Sequence, residues 1–530
     1  MTGTYLLHHL VSNAAGRARE AIALTHRGRH LSYGALQSRV EEFAASLAAL
    51  GLRPGERVAI YLEKRFETVA GIFGTSRTGA VFVPANPLLK PAQLAYILVD
   101  CNVRVLLTSA ARLRQLQPAL DACPRLSHVL LCDDDAVVRA SRHFQVHHLA
   151  GFRGVPPSPI PPTVESDIAA ILYTSGSTGQ PKGVVLSHRN MLAGAESVAG
   201  YLGNRADDVL LAALPLSFDA GFSQLTTGFH VGARVVLLDY LFPRDVANCI
   251  DTEGVTGLTA VPPLWIQLAQ LAEGACRGNS LRYFANTGGR MPLTTLQALR
   301  VRFPQARPYL MYGLTEAFRA TFLPPDQIDL RPDSIGRAIP NAEVAVVRED
   351  GSECAVGEPG ELVQRGPLVA QGYWNDPART AQRFRPLPEA MRRSGHGSPH
   401  VEIAVFSGDT VRRDDEGYLY FVGRSDDMIK TSGYRVSPTE VEEAVYASAL
   451  VGECAAFGIP HPTLGEAICL VAAPPVGAVE LDAAAIVAHC RNQLPAFMVP
   501  ARVEALDGAL PKNPNGKVDR VALARRFSAE

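Results

Sequence analysis

From about Tyr33 to Leu130 the chain alternates between two hydrophobic periods, and few folds accept that pattern. "LSYGALQSRVEEFAASLAALG" carries apolar residues at helical spacing and stops at Gly51. "RVAIYL" is a short apolar strand. "ETVAGIFGTSRTGAVFVPANP" reads as helix, turn, strand, and "AQLAYILVDCNVRVLLTSA" repeats helix then strand. "DVLLAALPL", "GARVVLLD" and "VTGLTAVPP" carry the same rhythm through Pro263. Such alternation predicts α/β layers around a largely parallel sheet. "RGVPPSPIPPT", Arg153 to Thr163, is a Pro-rich connector that marks a subdomain seam.

After about Pro340 the texture changes. "AEVAVVREDG", "GELVQRG" and "YLYFVG" are short strands with frequent turns, which predicts a small β-rich subdomain. "RPLPEAMRRSGHGSPHVE" between them is polar and rich in Pro and Gly, and is expected to be a surface loop. After Gly423, "RSDDMIKTSGYRVSPTEVEEAVYA" predicts a charged turn, a strand, and a helix opened by Ser437-Pro438 and Glu440. The last hundred or so residues alternate strand and helix as a small α+β domain does.

At 530 residues the chain exceeds one hydrophobic core, so two or more domains are expected. A formal net charge of -1 gives no electrostatic footprint for nucleic acid or a membrane surface. No apolar run is long enough to span a membrane, and the N-terminus lacks a secretion signal. The nine cysteines are scattered without a C-x-x-C pair, as expected of reduced thiols in a cytoplasmic protein. "HFQVHH" (His143, His147, His148) has no Cys or carboxylate nearby to complete a metal site.

Among 51 basic residues only six are lysines: Lys64, Lys90, Lys182, Lys430, Lys512 and Lys517. Lysine offers a compact point charge with three rotatable donors, which arginine cannot. Lys182 lies in "ILYTSGSTGQPKGVVLSHRN", where a strand runs into Ser, Thr and Gly. Glycines let backbone amides approach a ligand, and consecutive amides form an anion-binding nest. The segment is therefore a phosphate cradle by physical type. It is not a G-x-x-x-x-G-K-[ST] loop, because Lys182 follows Pro181 and precedes Gly183.

"YTSGSTGQPKGV" resembles the phosphate loop of the adenylate-forming ligases: acyl-CoA synthetases, luciferases and the adenylation domains of nonribosomal peptide synthetases. "YGLTEA", "SGDTVRRDDEGYLYFVGRSDDMIKTSGYRVSPTEVE" and "PKNPNGKVDR" are similar to the family's other signatures, in order, over nearly the whole chain. The resemblance implies two half-reactions. A carboxylate attacks the α-phosphate of ATP to give an acyl-adenylate and pyrophosphate. A phosphopantetheine thiol then displaces AMP to give a thioester.

It implies residue roles as well. Thr174, Ser175, Gly176, Ser177, Thr178, Gly179 and Lys182 would hold the β- and γ-phosphates. Glu316 would offer oxygen to Mg²⁺, with Thr315, Tyr312, Gly313 and Gly288 around the nucleotide. Asp409 would accept the ribose hydroxyls, with Arg424 beside it, and Lys517 would bridge the substrate carboxylate and the α-phosphate. Asp426 would be the hinge of a mobile small domain, dividing the chain into residues 1–425 and 426–530. Gly433 would line the thiol tunnel, with Lys430 near the acyl-adenylate in the second pose.

The acid is the open question. In amino-acid-activating members an aspartate placed like Asp219 in "PLSFDAGFSQL" binds the substrate ammonium. A carboxylate in an apolar pocket needs a cation, which fits that role. Capping the following helix is the alternative. Ser223, Leu264, Trp265, Ala285, Thr287, Met311 and Arg319 are further pocket candidates by the same resemblance. Trp265 would shorten the pocket, and Arg319 would face a substrate acid, the solvent or the small domain. The expected function is activation of a small amino acid and its transfer to a separate carrier protein. The alternatives are an acyl-CoA ligase for a non-amino acid and a catalytically inactive binding relative. The latter would be expected to lose Lys517, Glu316 or the Thr/Gly loop, all of which are present.

Overall fold

The computed structural model describes residues 3–133, 142–151, 162–174, 181–392, 401–424, 427–431, 434–461, 464–475, 477–478, 480–513 and 516–528. Among these, two large sheets carry the N-terminal part. One runs in the order Gly372–Tyr373, Lys182–Ser187, Ile168–Thr174, Val81–Pro84, Arg57–Ile60, Val105–Thr108, His128–Leu131 and Gln145–His148. Its first two pairings are antiparallel and the rest parallel. The other has six parallel strands at its centre, from Arg307–Tyr312 through Tyr283–Asn286, Gly257–Ala260, Val209–Ala212 and Arg234–Leu237 to Ile22–His26.

Helices fill the space between the sheets. Phe73, on the helix Phe66–Arg77, stacks on Phe222 of the helix Asp219–Val231, and Phe82 reaches the same ring from a strand. Aromatic side chains bury more apolar area than most others, so two rings meeting on Phe222 contribute heavily to holding the layers together. The local signals agree with the packing. Ser32 caps the helix Tyr33–Ala49 by accepting from the Ala35 amide, and Ser187 with Asn190 forms a capping box on His188–Leu202.

The strands Glu343–Val347, Gly360–Arg365, Phe384–Pro386, Ile403–Arg413 and Leu419–Arg424 form the expected antiparallel β subdomain. The segment "RPLPEAMRRSGHGSPHVE" differs from the expected loop. Its first residues belong to the edge strand Phe384–Pro386, and Met391 is buried. Proline is tolerated on an edge strand, where one face of the ladder is unpaired. Most of the Pro-rich connector at 153–163 lies outside the described residues.

The C-terminal sheet holds Tyr434–Val436, Ile429–Thr431, Gly465–Ala473, Glu453–His461 and Arg502–Ala505. The helices Pro438–Ala447 and Ala483–Gln493 cover one face and Arg520–Ser528 the other. Ser437 is the N-cap of the first of these, with Pro438 in its opening turn. No helix among the described residues is long and apolar enough to cross a membrane.

Candidate active site

The phosphate-loop segment is the tip of a hairpin. Thr174 pairs with Lys182 across the two strands, so both ends of the loop are fixed. Ser175, Gly176, Ser177, Thr178 and Gly179 lie outside the described residues. The Thr174 hydroxyl is buried and has no partner among the described residues. Lys182 Nζ donates to Glu316 Oε1 at 2.8 Å and to the Tyr373 hydroxyl at 2.8 Å. Tyr373 in turn donates to Glu316 Oε1 at 2.6 Å. Burial pushes the Glu316 carboxyl up, but the Lys182 charge and these bonds win and hold it at about 2. Tyr373 is a site residue that sequence reasoning missed; a lone Gly-Tyr-Trp run carries no signal for it.

Asp409 lies opposite Arg424 on adjacent strands, with Arg424 Nε 3.6 Å from its carboxylate. The Tyr312 hydroxyl donates to the other carboxylate oxygen. Asp409 is largely buried while Arg424 is exposed, so the pair opens toward solvent on the arginine side.

Lys517 arrives from the small domain. Its loop is closed by the Asn513 amide on the Lys517 carbonyl and by the Lys517 amide on the Asn513 side chain. The ammonium stands 5.7 Å from the centre of the Phe218 ring. Gly288 adopts φ +75°, and a Cβ there would lie 3.1 Å from Lys517 Cε. Glycine at that position therefore leaves the lysine its channel. Burial lowers the Lys517 pKa, against the opposing pull of Asp219, Asp409 and Glu316. Three carboxylates from separate parts of the chain thus favour the charged form of one lysine, with Arg424 acting against them. Arg290 also bridges the two domains, 3.3 Å from Glu443.

Asp219 does not cap the helix that follows it. Phe218, not Asp219, is the N-cap of the helix Asp219–Val231. The Asp219 carboxylate accepts from Arg319 Nη1 at 2.8 Å and from the Thr315 hydroxyl at 3.3 Å. Both charged side chains are under 5 % exposed. The ion pair spans a hundred residues of sequence, which is why no local motif announces it. Arg319 is aimed inward by an unusual turn. Phe318 adopts φ +57° and ψ −52°, and the Arg319 amide bonds the Ala317 carbonyl at 2.6 Å. That is a strained three-residue turn of the kind held in place where geometry matters. Phe318 packs over Gly194, where a Cβ would lie 2.3 Å from its ring.

Ser223, Met311 and Arg319 line one small cavity beside the Asp219–Arg319 pair. Ala285 and Thr287 are buried at the end of the neighbouring strand. Leu264 and Trp265 are elsewhere: both sit in the core on the far side of the nine-stranded sheet, where Trp265 donates to the Ala260 carbonyl. Trp265 therefore does not line this cavity. Asp426, Gly433 and the Lys430 side chain lie outside the described residues.

No cluster of three or more potential metal ligands occurs among the described residues. Glu316 is nonetheless an ionised, buried oxygen donor. Mg²⁺ is commonly held by one or two carboxylates plus substrate phosphates, so a single carboxylate beside a phosphate loop fits that ion.

The sequence matches the family model "AMP-binding enzyme" over residues 11–374 and "AMP-binding enzyme C-terminal domain" over 440–517. It is 33% identical to an L-proline--[L-prolyl-carrier protein] ligase of Pseudomonas fluorescens, over 98% of this chain and 99% of that one. It is 30% identical to a long-chain-fatty-acid--CoA ligase of Salmonella typhimurium, over 98% and 94% of the two chains. Its fold matches that of an anthranilate CoA ligase solved with anthranoyl-AMP, with a TM-score of 0.87 and 24% identity over 100% and 99% of the chains. A phosphate-loop hairpin, a carboxylate set acting on a cross-domain lysine and full-length similarity to ligases agree: the chain belongs to the AMP-binding enzymes, the adenylate-forming ligases.

Proposed function

We propose that this enzyme activates a small amino acid with ATP and passes it to the phosphopantetheine thiol of a separate carrier protein. One observation carries the choice of acid: Asp219, a carboxylate under 5 % exposed, acts on the Lys517 charge and is paired with Arg319, which lines the cavity that would take the acid's tail. A carboxylate has about four lone-pair sites, and Arg319 and Thr315 engage two of them, which leaves room for an ammonium. Full-length similarity to a prolyl-carrier protein ligase supports the same acid class and acceptor.

In the first half-reaction the acid's carboxylate oxygen attacks the α-phosphorus and pyrophosphate leaves. Lys517 offsets the negative charge that builds on the α-phosphate and orients the attacking carboxylate. Lys182 and Thr174, with Ser175, Gly176, Ser177, Thr178 and Gly179, hold the departing phosphates. Lys182 is already charge-matched by Glu316, so arrival of the polyphosphate redistributes charge within a preformed set. Mg²⁺, bound at Glu316, would supply charge neutralisation for the phosphates. Asp409 accepts from the ribose hydroxyls, with Tyr312 and Arg424 fixing its carboxylate.

In the second half-reaction the thiol sulfur bonds to the acyl carbon and AMP leaves. We assign Asp426 as the hinge between residues 1–425 and 426–530, and Lys430 and Gly433 to the pose that admits the thiol. Asp219, Ser223, Met311 and Arg319 face the acid.

A second reading has its own support. Arg319 already balances the Asp219 charge, so a simple acid without an ammonium leaves no charge unpaired. It would then be a ligase for a non-amino acid, with coenzyme A as the acceptor.

ATP–pyrophosphate exchange distinguishes them. Amino acids such as proline and alanine are set against short and long fatty acids. The proposal predicts exchange with an amino acid, lost in Asp219→Ala. Exchange with simple acids alone would sink it.

A further inference from the structure

The cavity beside the Asp219–Arg319 pair is small and mixed in character. Leu202, Leu210 and Leu211 supply apolar wall, Ser223, Gln224 and Arg319 supply polar groups, and it holds about 20 Å³, roughly the room of one water-sized group. Ser223, Gln224, Thr227 and Arg319 are each more than nine-tenths buried.

Two of these side chains have an unmet hydrogen-bonding atom among the described residues: Arg319 Nε, a donor, and Gln224 Oε1, an acceptor. Neither is a matter of a flipped side chain. The Gln224 amide nitrogen donates to the Leu211 carbonyl at 2.8 Å and the Thr259 carbonyl at 3.0 Å, so its oxygen is the free end. Arg319 is anchored through Nη1 on Asp219 and on the Phe318 carbonyl and also interacts with the Tyr201 hydroxyl, while its Nε has no partner among the described residues. A buried polar atom left unpaired costs about 1–3 kcal/mol. A ligand group that satisfies both atoms recovers that cost; an alkyl group recovers none of it.

We infer that the acid carries on its tail a hydroxyl group, which accepts from Arg319 and donates to Gln224. A hydroxyl is the most compact group with both capacities, and the cavity has room for little more. This rests on the proposal that the acid lies between Lys517 and Asp219, and it holds whether or not the acid is an amino acid. It also disfavours a long alkyl tail, which would leave both atoms unpaired and has no volume to enter.

The test is ATP–pyrophosphate exchange with matched pairs that differ by one hydroxyl: serine and alanine, threonine and 2-aminobutyrate, 3-hydroxybutyrate and butyrate. In at least one pair the hydroxylated acid should exceed its partner by a hundredfold or more in kcat/KM. Sites built to bond a substrate hydroxyl reject the analogue lacking it by up to about 10⁴–10⁵. Arg319→Lys keeps a cation beside Asp219 but removes the Nε donor, so the ratio should fall at least tenfold. The wild-type ratio stands even if that variant is unstable. Exchange in which each plain acid equals or exceeds its hydroxylated partner overturns the inference and leaves the adenylation reading standing. If neither these acids nor proline and the fatty acids of the wider panel support exchange, the proposed function is overturned, and the inference with it.

Discussion

The two ends of the cleft are built on opposite plans. At the phosphate end, Lys182, Glu316 and Tyr373 form a closed set, with each polar group bonded to the next. At the acid end, Asp219 and Arg319 neutralise each other but leave Arg319 Nε and Gln224 Oε1 unsatisfied. Lys517 stands between them, with no hydrogen-bond or ion-pair partner for its ammonium among the described residues. On the proposed reading, the closed set would take the triphosphate, the open valences would take one particular tail, and Lys517 would keep its charge for the reacting centre.

The sharpest way to break this contrast is at the acid end. Removing Arg319 alone, as Arg319→Met, strands a buried carboxylate and should cost about 3–5 kcal/mol of stability. Pairing it with Asp219→Asn should recover most of the loss, which denaturant unfolding of the single and double variants would reveal. Equal losses in both would mean the pair is not the reason for the cost.

At the bridge, Lys517→Ala should lower ATP–pyrophosphate exchange about a hundred- to a thousandfold, with thermal unfolding and ATP binding little changed. The Lys517 pKa is lowered by burial, so its charge is lost at a lower pH than an ordinary lysine's. Activity should therefore fall on an alkaline limb below about pH 10.4, the usual lysine value. Lys517→Arg, if active, should lose that limb; a limb that persists would assign it to another group.

The phosphate end predicts a smaller, acid-side effect. Glu316 is depressed to about 2, so its ionised form adds stability above its unfolded pKa. That contribution falls away between about pH 4.3 and pH 2 as the carboxylate is protonated. Glu316→Gln should flatten that part of the stability profile. The smallest change is Tyr373→Phe, which removes one hydroxyl from the closed set. About 1 kcal/mol, or roughly five- to tenfold in exchange, is expected, because Lys182 and Glu316 keep each other. A loss as large as that of Lys517→Ala would make the tyrosine part of the chemistry.

The same contrast explains what the sequence could reveal. The hairpin around Lys182, the α/β alternation and the helix opened by Ser437-Pro438 were legible because each is written in contiguous residues. Lys517 was singled out only through the resemblance of "PKNPNGKVDR" to a family signature. The Asp219–Arg319 pair was not legible, since Arg319 reaches Asp219 only through a strained turn at Phe318. Tyr373 was hidden for the same reason: its hydroxyl meets Lys182 and Glu316 across separate strands and turns. Trp265 misled in the other direction. The resemblance put it in the acid pocket, yet the helix Pro262–Ala269 turns it into the core behind the sheet.

The most direct test of the whole account follows one oxygen atom. The enzyme is given ATP, a thiol acceptor and an acid labelled with ¹⁸O in both carboxylate oxygens, and the released AMP is weighed by mass spectrometry. Attack of the carboxylate on the α-phosphorus predicts one ¹⁸O atom in AMP for each thioester made. Unlabelled AMP, or ADP as the nucleotide product, would contradict an acyl-adenylate and remove Lys517 from the role assigned to it.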